Sequence, residues 1–225
     1  MLFGDRTDKD ETVVAVLAAA IRRDISFGHL TPDQKLKIGE LRQRYGGSNH
    51  SMRETLRVLA AEGMVEATSQ RGFRVTSASE DDLRDILLMR VTLEQLGLEK
   101  SMAAATVAWE GGVIAAFHAM NRAEEQVRTN PDDLTALQWD EACRAASEAL
   151  VSGCGSARLI DSQQKFYNQS RRFRLALLRE GRLDFARRAE RIAALQSAVV
   201  EHRTDHALGL LETHIAAEMA GETPV

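Results

Sequence analysis

The chain has 225 residues, of which 44% are hydrophobic but only 5% aromatic, and a formal net charge of −4. That length allows two modest domains, and an aliphatic, alanine- and leucine-rich composition suits helix packing rather than a sheet sandwich. No apolar run approaches the about 18 residues of a membrane span, Asp5, Asp8, Asp10 and Glu11 speak against a signal peptide, and two cysteines without CxxC spacing make no disulfide framework, so a cytoplasmic protein with reduced thiols is expected.

In chain order, Thr12 to Ile25 sets Val14, Leu17, Ile21 and Ile25 at helical spacing and predicts a bracing helix. Lys37 to Tyr45 is a short helical pattern stopped by Gly46 and Gly47. Ser48 to Leu59 is a second, in which Met52, Leu56 and Leu59 share the inward face while Asn49, His50, Arg53 and Arg57 lie on others. Ser48 serves as N-cap, aiming free N–H groups and the positive end of the helix dipole outward, where a phosphate is welcome. Two helices joined by a tight turn are helix-turn-helix geometry. Strand candidates follow at 63–67 and 72–76 around a basic tip, which adds a wing.

Thr76 to Ser79 is polar, and Ser79 caps the next helix. Helical patterns then run over 80–106, 109–128, 131–152, 155–179, 183–201 and 203–219, with breaks at Gly111-Gly112, Asn130-Pro131, Gly153 to Gly155 and Gly181. Residues 20–74 hold ten Lys and Arg against six Asp and Glu, whereas residues 80–225 hold seventeen against twenty-three. The first half is therefore the one to dock on nucleic acid, and the acidic half stays off it.

Gly28 to Pro32, Ser48 to Leu59, Leu59 to Val65 and Arg71-Gly72 carry a resemblance: residues 11–76 are similar to the N-terminal domain of the GntR family of bacterial transcription regulators. The resemblance implies that Ser48, Asn49, His50, Ser51, Arg53, Arg71 and Gly72 contact double-stranded DNA. Gly39 stands where many members place an arginine, and Gly47 and Ser51-Met52 replace the usual valine and proline-valine. Lys37 and Arg42 are the candidates for the missing phosphate contact. Farther on, Asp82-Leu83 through Leu93-Glu94, Ala149 to Ser156, and Ala207 with Leu210-Leu211 and His214-Ile215 resemble the FCD subgroup. The implied architecture is a winged helix-turn-helix (α+β) over 1–76, a linker at 77–79 and an all-α FCD-type bundle over 80–225 that binds an effector and forms a homodimer on a roughly palindromic operator.

Arg90 and Glu94 sit mid-stripe among Leu83, Ile86, Leu87, Leu93 and Gly97, and buried charge is costly unless paired. Either the two pair to fix the bundle, or Arg90 clamps a carboxylate or phosphate of a small ligand. Many FCD domains hold a divalent metal with one aspartate and three histidines; by resemblance these places fall on Cys143, Ser147, Ile192 and His214. Three of the four depart, so neither metal nor cofactor is expected. Asp140 lies toward the edge of its stripe and is a weak substitute ligand. Arg90, Glu94, Cys143, Ser147, Arg188, Ile192, Gln196 and His214 form the expected pocket for a small organic acid, which Arg171 and Arg172 either join or leave for solvent. Two alternatives stay open: a helical domain that only dimerises, and an enzyme with Cys143 as nucleophile and His214 as base. For the second, no carboxylate orienter and no glycine-rich oxyanion turn are present.

Overall fold

In a computed structural model that describes residues 7–68 and 72–220, the chain divides into two units, residues 1–82 and 83–225. The first is built on α1 (Thr7–Ser26), which buries Leu17, Ala18, Ile21 and Ile25 in one core with Leu41 of α2 (Ile38–Tyr45) and Met52, Leu56 and Leu59 of α3 (Asn49–Ala61). Leu17, Ile21, Ile25, Met52, Leu56 and Leu59 are positions the helical spacing singles out; Val14, also expected, is half-buried and outside this core, while Ala18 and Leu41 join it. Between α2 and α3, Gly46 and Gly47 both take φ of 81°. A Cβ on Gly47 would meet Leu17 Cδ1 and Ser51 Oγ at 3.0 Å, so that position requires glycine on both conformational and steric grounds.

Three short strands complete this unit: β1 (Lys35–Leu36), β2 (Val65–Thr68) and β3 (Gly72–Val75), antiparallel in the order β1-β3-β2. Leu36 lies opposite Phe73, and Val65 opposite Val75. No strand is expected at 35–36 from the sequence, because two residues show no alternation; pairing with β3 creates it. The strand expected from residue 63 begins at Val65 instead. Gly63, at φ 76°, closes α3 by donating to the Ala60 carbonyl while the Met64 N–H donates to that of Leu59, a Schellman end that needs both residues out of the strand.

The second unit is all-helical among its described residues: α4 (Glu80–Ala103), α5 (Val107–Thr129), α6 (Asp133–Val151), α7 (Ala157–Arg179), α8 (Phe185–Val200) and α9 (Thr204–Ala220). Thr106, Asp132, Ser156 and Asp184 each accept a backbone N–H of the first turn they cap, which fixes where α5 to α8 begin. The expected break at Gly111-Gly112 is not one. Both glycines lie inside α5 with open space around them, and the chain turns earlier, before the Thr106 cap. Among the described residues no helix is long and apolar enough to cross a membrane.

At Gly97, α4 leaves no room for a side chain. A Cβ there would stand 2.6 Å from Val151 Cγ1, 2.8 Å from Val151 Cβ and 3.0 Å from a methyl of Leu159. Val151 Cβ sits next to the backbone and cannot swing aside. Gly97→Ala should therefore lower unfolding stability by about 1–3 kcal/mol despite its better helix propensity, as read by urea melts of the purified protein. Equal or higher stability in the variant would show that the α4 and α6 backbones separate freely.

Candidate nucleic-acid interface and buried ionic site

Three sets of contacts fix α3 before it meets anything. At its start, Ser48 Oγ accepts the Ser51 N–H at 3.0 Å and Ser51 Oγ accepts the Ser48 N–H at 2.9 Å, a reciprocal capping box. Over the turn, Arg42 donates from Nε to the Gly47 carbonyl (3.2 Å) and from Nη1 to Asn49 Oδ1 (3.1 Å). At its far end, Arg22 grips Glu62 with two hydrogen bonds of 2.9 and 2.6 Å. Asp24 adds a fourth tie. Buried at the end of α1, it accepts the Tyr45 hydroxyl at 2.6 Å and pairs with Arg44, holding the end of α2. Burial raises the Asp24 carboxyl, but the Tyr45 hydrogen bond and the Arg44 charge outweigh it and keep it below the usual range.

The expected DNA contacts separate on this frame. Ser48, Asn49, His50 and Arg53 are exposed along one side of α3, and no carboxylate among the described residues pairs with Arg53. Ser51 is different: it is buried, its hydroxyl is taken by the cap, and it faces inward because Met52 and Thr55 beside it do. Lys37 is exposed and paired with Glu40 at 2.7 Å. Arg42 acts on α3 through the turn. Gly72 opens β3 and is exposed, whereas Arg71 lies outside the described residues.

In the helical unit, Arg90 and Glu94 are both 1% exposed and meet directly, Nε to Oε1 at 2.7 Å. Each continues into a network. Arg90 Nη1 reaches Glu218 Oε2 (3.3 Å) and Ser170 Oγ (3.4 Å), while Glu94 Oε2 accepts the Ser147 hydroxyl at 2.6 Å, which in turn accepts Gln163 Nε2 at 2.7 Å. Arg188 donates to Glu124 (2.9 Å), to Glu218 (2.8 Å) and to Cys143 Sγ (3.1 Å). Arg174 holds Asp140 through Nε (3.0 Å) and Nη2 (2.7 Å), and Arg171 pairs with the other oxygen of the same carboxylate. The Tyr167 ring lies under two of these guanidinium groups, with centroid distances of 3.9 Å to Arg174 and 4.4 Å to Arg90.

Four arginines thus face four carboxylates: Arg90, Arg171, Arg174 and Arg188 against Glu94, Glu124, Asp140 and Glu218. Removing one member of such a set strands a buried charge, at a cost of about 3–5 kcal/mol. Burial raises the Glu218 carboxyl, yet Arg188, with Arg90 and Arg174 behind it, holds it far below the usual carboxylate value. Burial pushes the Cys143 thiol up to about 12, only partly countered by Arg188, so the thiol stays protonated and is no nucleophile. Among the described residues no three His, Cys, Asp or Glu side chains are placed to share a metal ion.

A cavity of about 20 Å³ lies among Arg90, Glu94, Cys143, Ser147, Tyr167, His214 and Glu218, with room for about one water molecule. Of the expected pocket residues, Arg188, Ile192 and Gln196 lie outside its lining; Arg188 and Ile192 are fully buried and Gln196 half-buried. One expectation changes here, and one left open is decided. Asp140 is not at a stripe edge but wholly buried, drawn in by Arg171 and Arg174. Arg171 joins the ionic network rather than the solvent. Sequence reasoning missed Glu218, Glu124, Arg174 and Tyr167, though two were within reach. Glu218 lies one turn beyond His214, and Arg174 one turn beyond Ser170 on the stripe of Tyr167.

Burial holds the His214 imidazole down at about 3, against an ordinary 6.5, and the nearby Glu218 charge only partly offsets this. The ring is neutral in the fold but titrates near 6.5 once unfolded, so the unfolded chain binds the extra proton between those values. Stability should therefore fall as pH drops through that window, and His214→Gln should flatten the fall. Denaturant melts across the window, wild type against variant, check this; an unaltered pH slope in His214→Gln would remove His214 from the cause.

Comparison with known proteins adds four findings. Residues 14–75 match the family described as bacterial regulatory proteins, gntR family. Over 200 residues the chain is 32% identical to the HTH-type transcriptional regulator BphR of Paraburkholderia xenovorans, covering 89% of this chain and 81% of that one. It is 29% identical over 198 residues to the HTH-type transcriptional repressor GlaR of Escherichia coli, covering 87% and 89%. In fold it is similar to a GntR transcriptional regulator from Rhodococcus sp. RHA1, with a TM-score of 0.70 at 20% identity over 95% of this chain and 97% of that one.

Proposed function

Because this chain belongs to the GntR family and is a DNA-binding transcriptional regulator, not an enzyme, we propose that α3 enters the major groove with Ser48, Asn49, His50 and Arg53 toward the DNA. Arg71 and Gly72 of the wing and Lys37 then hold the flanking phosphates. The observation that carries this is the exposed side of α3: short polar groups at its start and, one turn on, an arginine that no carboxylate among the described residues pairs, on a helix pinned at both ends. Ser51 contributes through the cap. Cytoplasmic action on a roughly palindromic site asks for a two-fold dimer, for which α4 offers Leu88 and Leu96, 63% and 42% exposed and two turns apart. Arg53→Ala should weaken operator binding about 10- to 100-fold in a gel-shift titration while leaving thermal stability unchanged. Unchanged affinity would take Arg53 out of the interface.

For the helical unit we infer an FCD-type domain that works without a metal. Of the four places that the resemblance assigns to metal ligands, Ile192 has no donor, Cys143 keeps its proton and Ser147 is engaged by Glu94 and Gln163. The Arg188 guanidinium, 3.1 Å from Cys143 Sγ, supplies positive charge there instead. A small organic acid would bind by taking the place of the Glu218 carboxylate between Arg90 and Arg188, and the exchange would loosen α9. The alternative, a unit that only dimerises, is favoured by the size of the cavity and by its already balanced charge. A thermal-shift panel of mono- and dicarboxylates separates them. An acid that raises the melting temperature and alters operator affinity supports exchange, whereas no shift with any acid supports dimerisation alone.

A further inference from the structure

Beyond the outward start of α3, the DNA-binding unit carries an open cleft of about 350 Å³ between the later turns of α3 and the sheet. Arg53 and Arg57, one helical turn apart, form one wall; Lys35 and Lys37, on either side of the buried Leu36, form the other, and Phe73 lies at the back. Cross-strand pairing fixes the second wall. Lys35 is opposite Arg74 and Leu36 opposite Phe73, so β1 cannot slide without breaking its hold on β3. Four cations thus converge on one cleft, and among the described residues the carboxylates paired with them are Glu40, on Lys37, and Glu54, on Arg57.

We propose that this cleft is a phosphate seat: the sugar-phosphate backbone of one DNA strand runs between α3 and β1, and Lys35 and Arg57 clamp it. The inference rests on the DNA-binding reading and extends it to two residues outside the family-matched contacts. Like charges held this close on the free protein repel one another, and a polyanion removes that repulsion while releasing its own counterions. An open cleft with two long flexible side chains on facing walls suits a backbone, which presents charge at every nucleotide. It does not suit base reading, which needs rigid short-range donors.

Lys35→Gln, Arg57→Gln and Glu54→Gln test it, with two probes: a mixed-sequence duplex of about 30 bp, and a duplex enriched from a random pool by repeated binding to the wild-type protein. Lys35→Gln and Arg57→Gln should each weaken both duplexes by the same factor, about 3- to 10-fold at moderate salt, and reduce the slope of log K against log salt by about 0.9. Glu54→Gln, which frees Arg57, should tighten both by about two- to threefold. Unchanged affinity and slope in both glutamine variants of the cations would overturn the seat while leaving the regulator reading intact, because the wild type still binds. Loss confined to the enriched duplex would also overturn it, by making these residues base readers. A wild-type protein that retains neither duplex at low salt would sink both readings.

Discussion

A guanidinium group taken out of water must meet a carboxylate, and every helix of the second unit contributes to meeting that demand. Arg90 and Glu94 come from α4, Glu124 from α5, Asp140 from α6, Arg171 and Arg174 from α7, Arg188 from α8 and Glu218 from α9. Apolar contacts tolerate a helix sliding by part of a turn; this network does not. A slipped helix would leave a full charge unpaired in a low dielectric, so the ionic core contributes less to net stability than to the uniqueness of the packing. The same constraint governs any ligand. With positive and negative charges already matched, an incoming anion has to displace one that is there, and Glu218 touches two arginines at once.

The DNA-binding unit solves a different problem by different means. Its core is mostly aliphatic, with the buried ring of Phe27, two methionines and a partly buried tyrosine and phenylalanine, and apart from the buried Asp24 its charged contacts lie at the rim, where they set angles rather than fill space. Arg42, Arg22 and the Asp24 cluster together fix the pitch of α3 relative to α1 and α2. Loss of Arg42 would therefore change DNA affinity through geometry, whatever the side chain does toward phosphate.

Much of this was legible in the sequence because the relevant signals are local. Periodicity of Leu17, Ile21, Met52, Leu56 and Leu59 gives the first unit's helices, Ser48 its cap, and Gly46-Gly47 its turn. Arg90 and Glu94 declare themselves by interrupting an apolar stripe. What was not legible depends on partners far along the chain. β1 exists only because β3 lies beside it, and the burial of Asp140 is decided by two arginines about thirty residues later. Glu218 shares the stripe of His214 one turn earlier, but its pairing with Arg90, 128 residues before it, has no local signal. Helical angle alone put Asp140 at an edge; electrostatic attraction turned it inward.

The separation between Arg90 and Glu218 also orders events during synthesis. Every residue of the first unit's core has been polymerised by Val75, whereas the ionic core waits for α9, on the order of ten seconds later at ordinary elongation rates. In that interval a nascent chain holds a finished helix-turn-helix beside an unbalanced bundle, with Arg90 and Arg188 short of a shared counterion. A chain interrupted before Glu218 stays in that condition, open to proteases and unable to lock its helices. α9 thereby closes the helical unit: without Glu218, Arg90 and Arg188 lack the carboxylate they share.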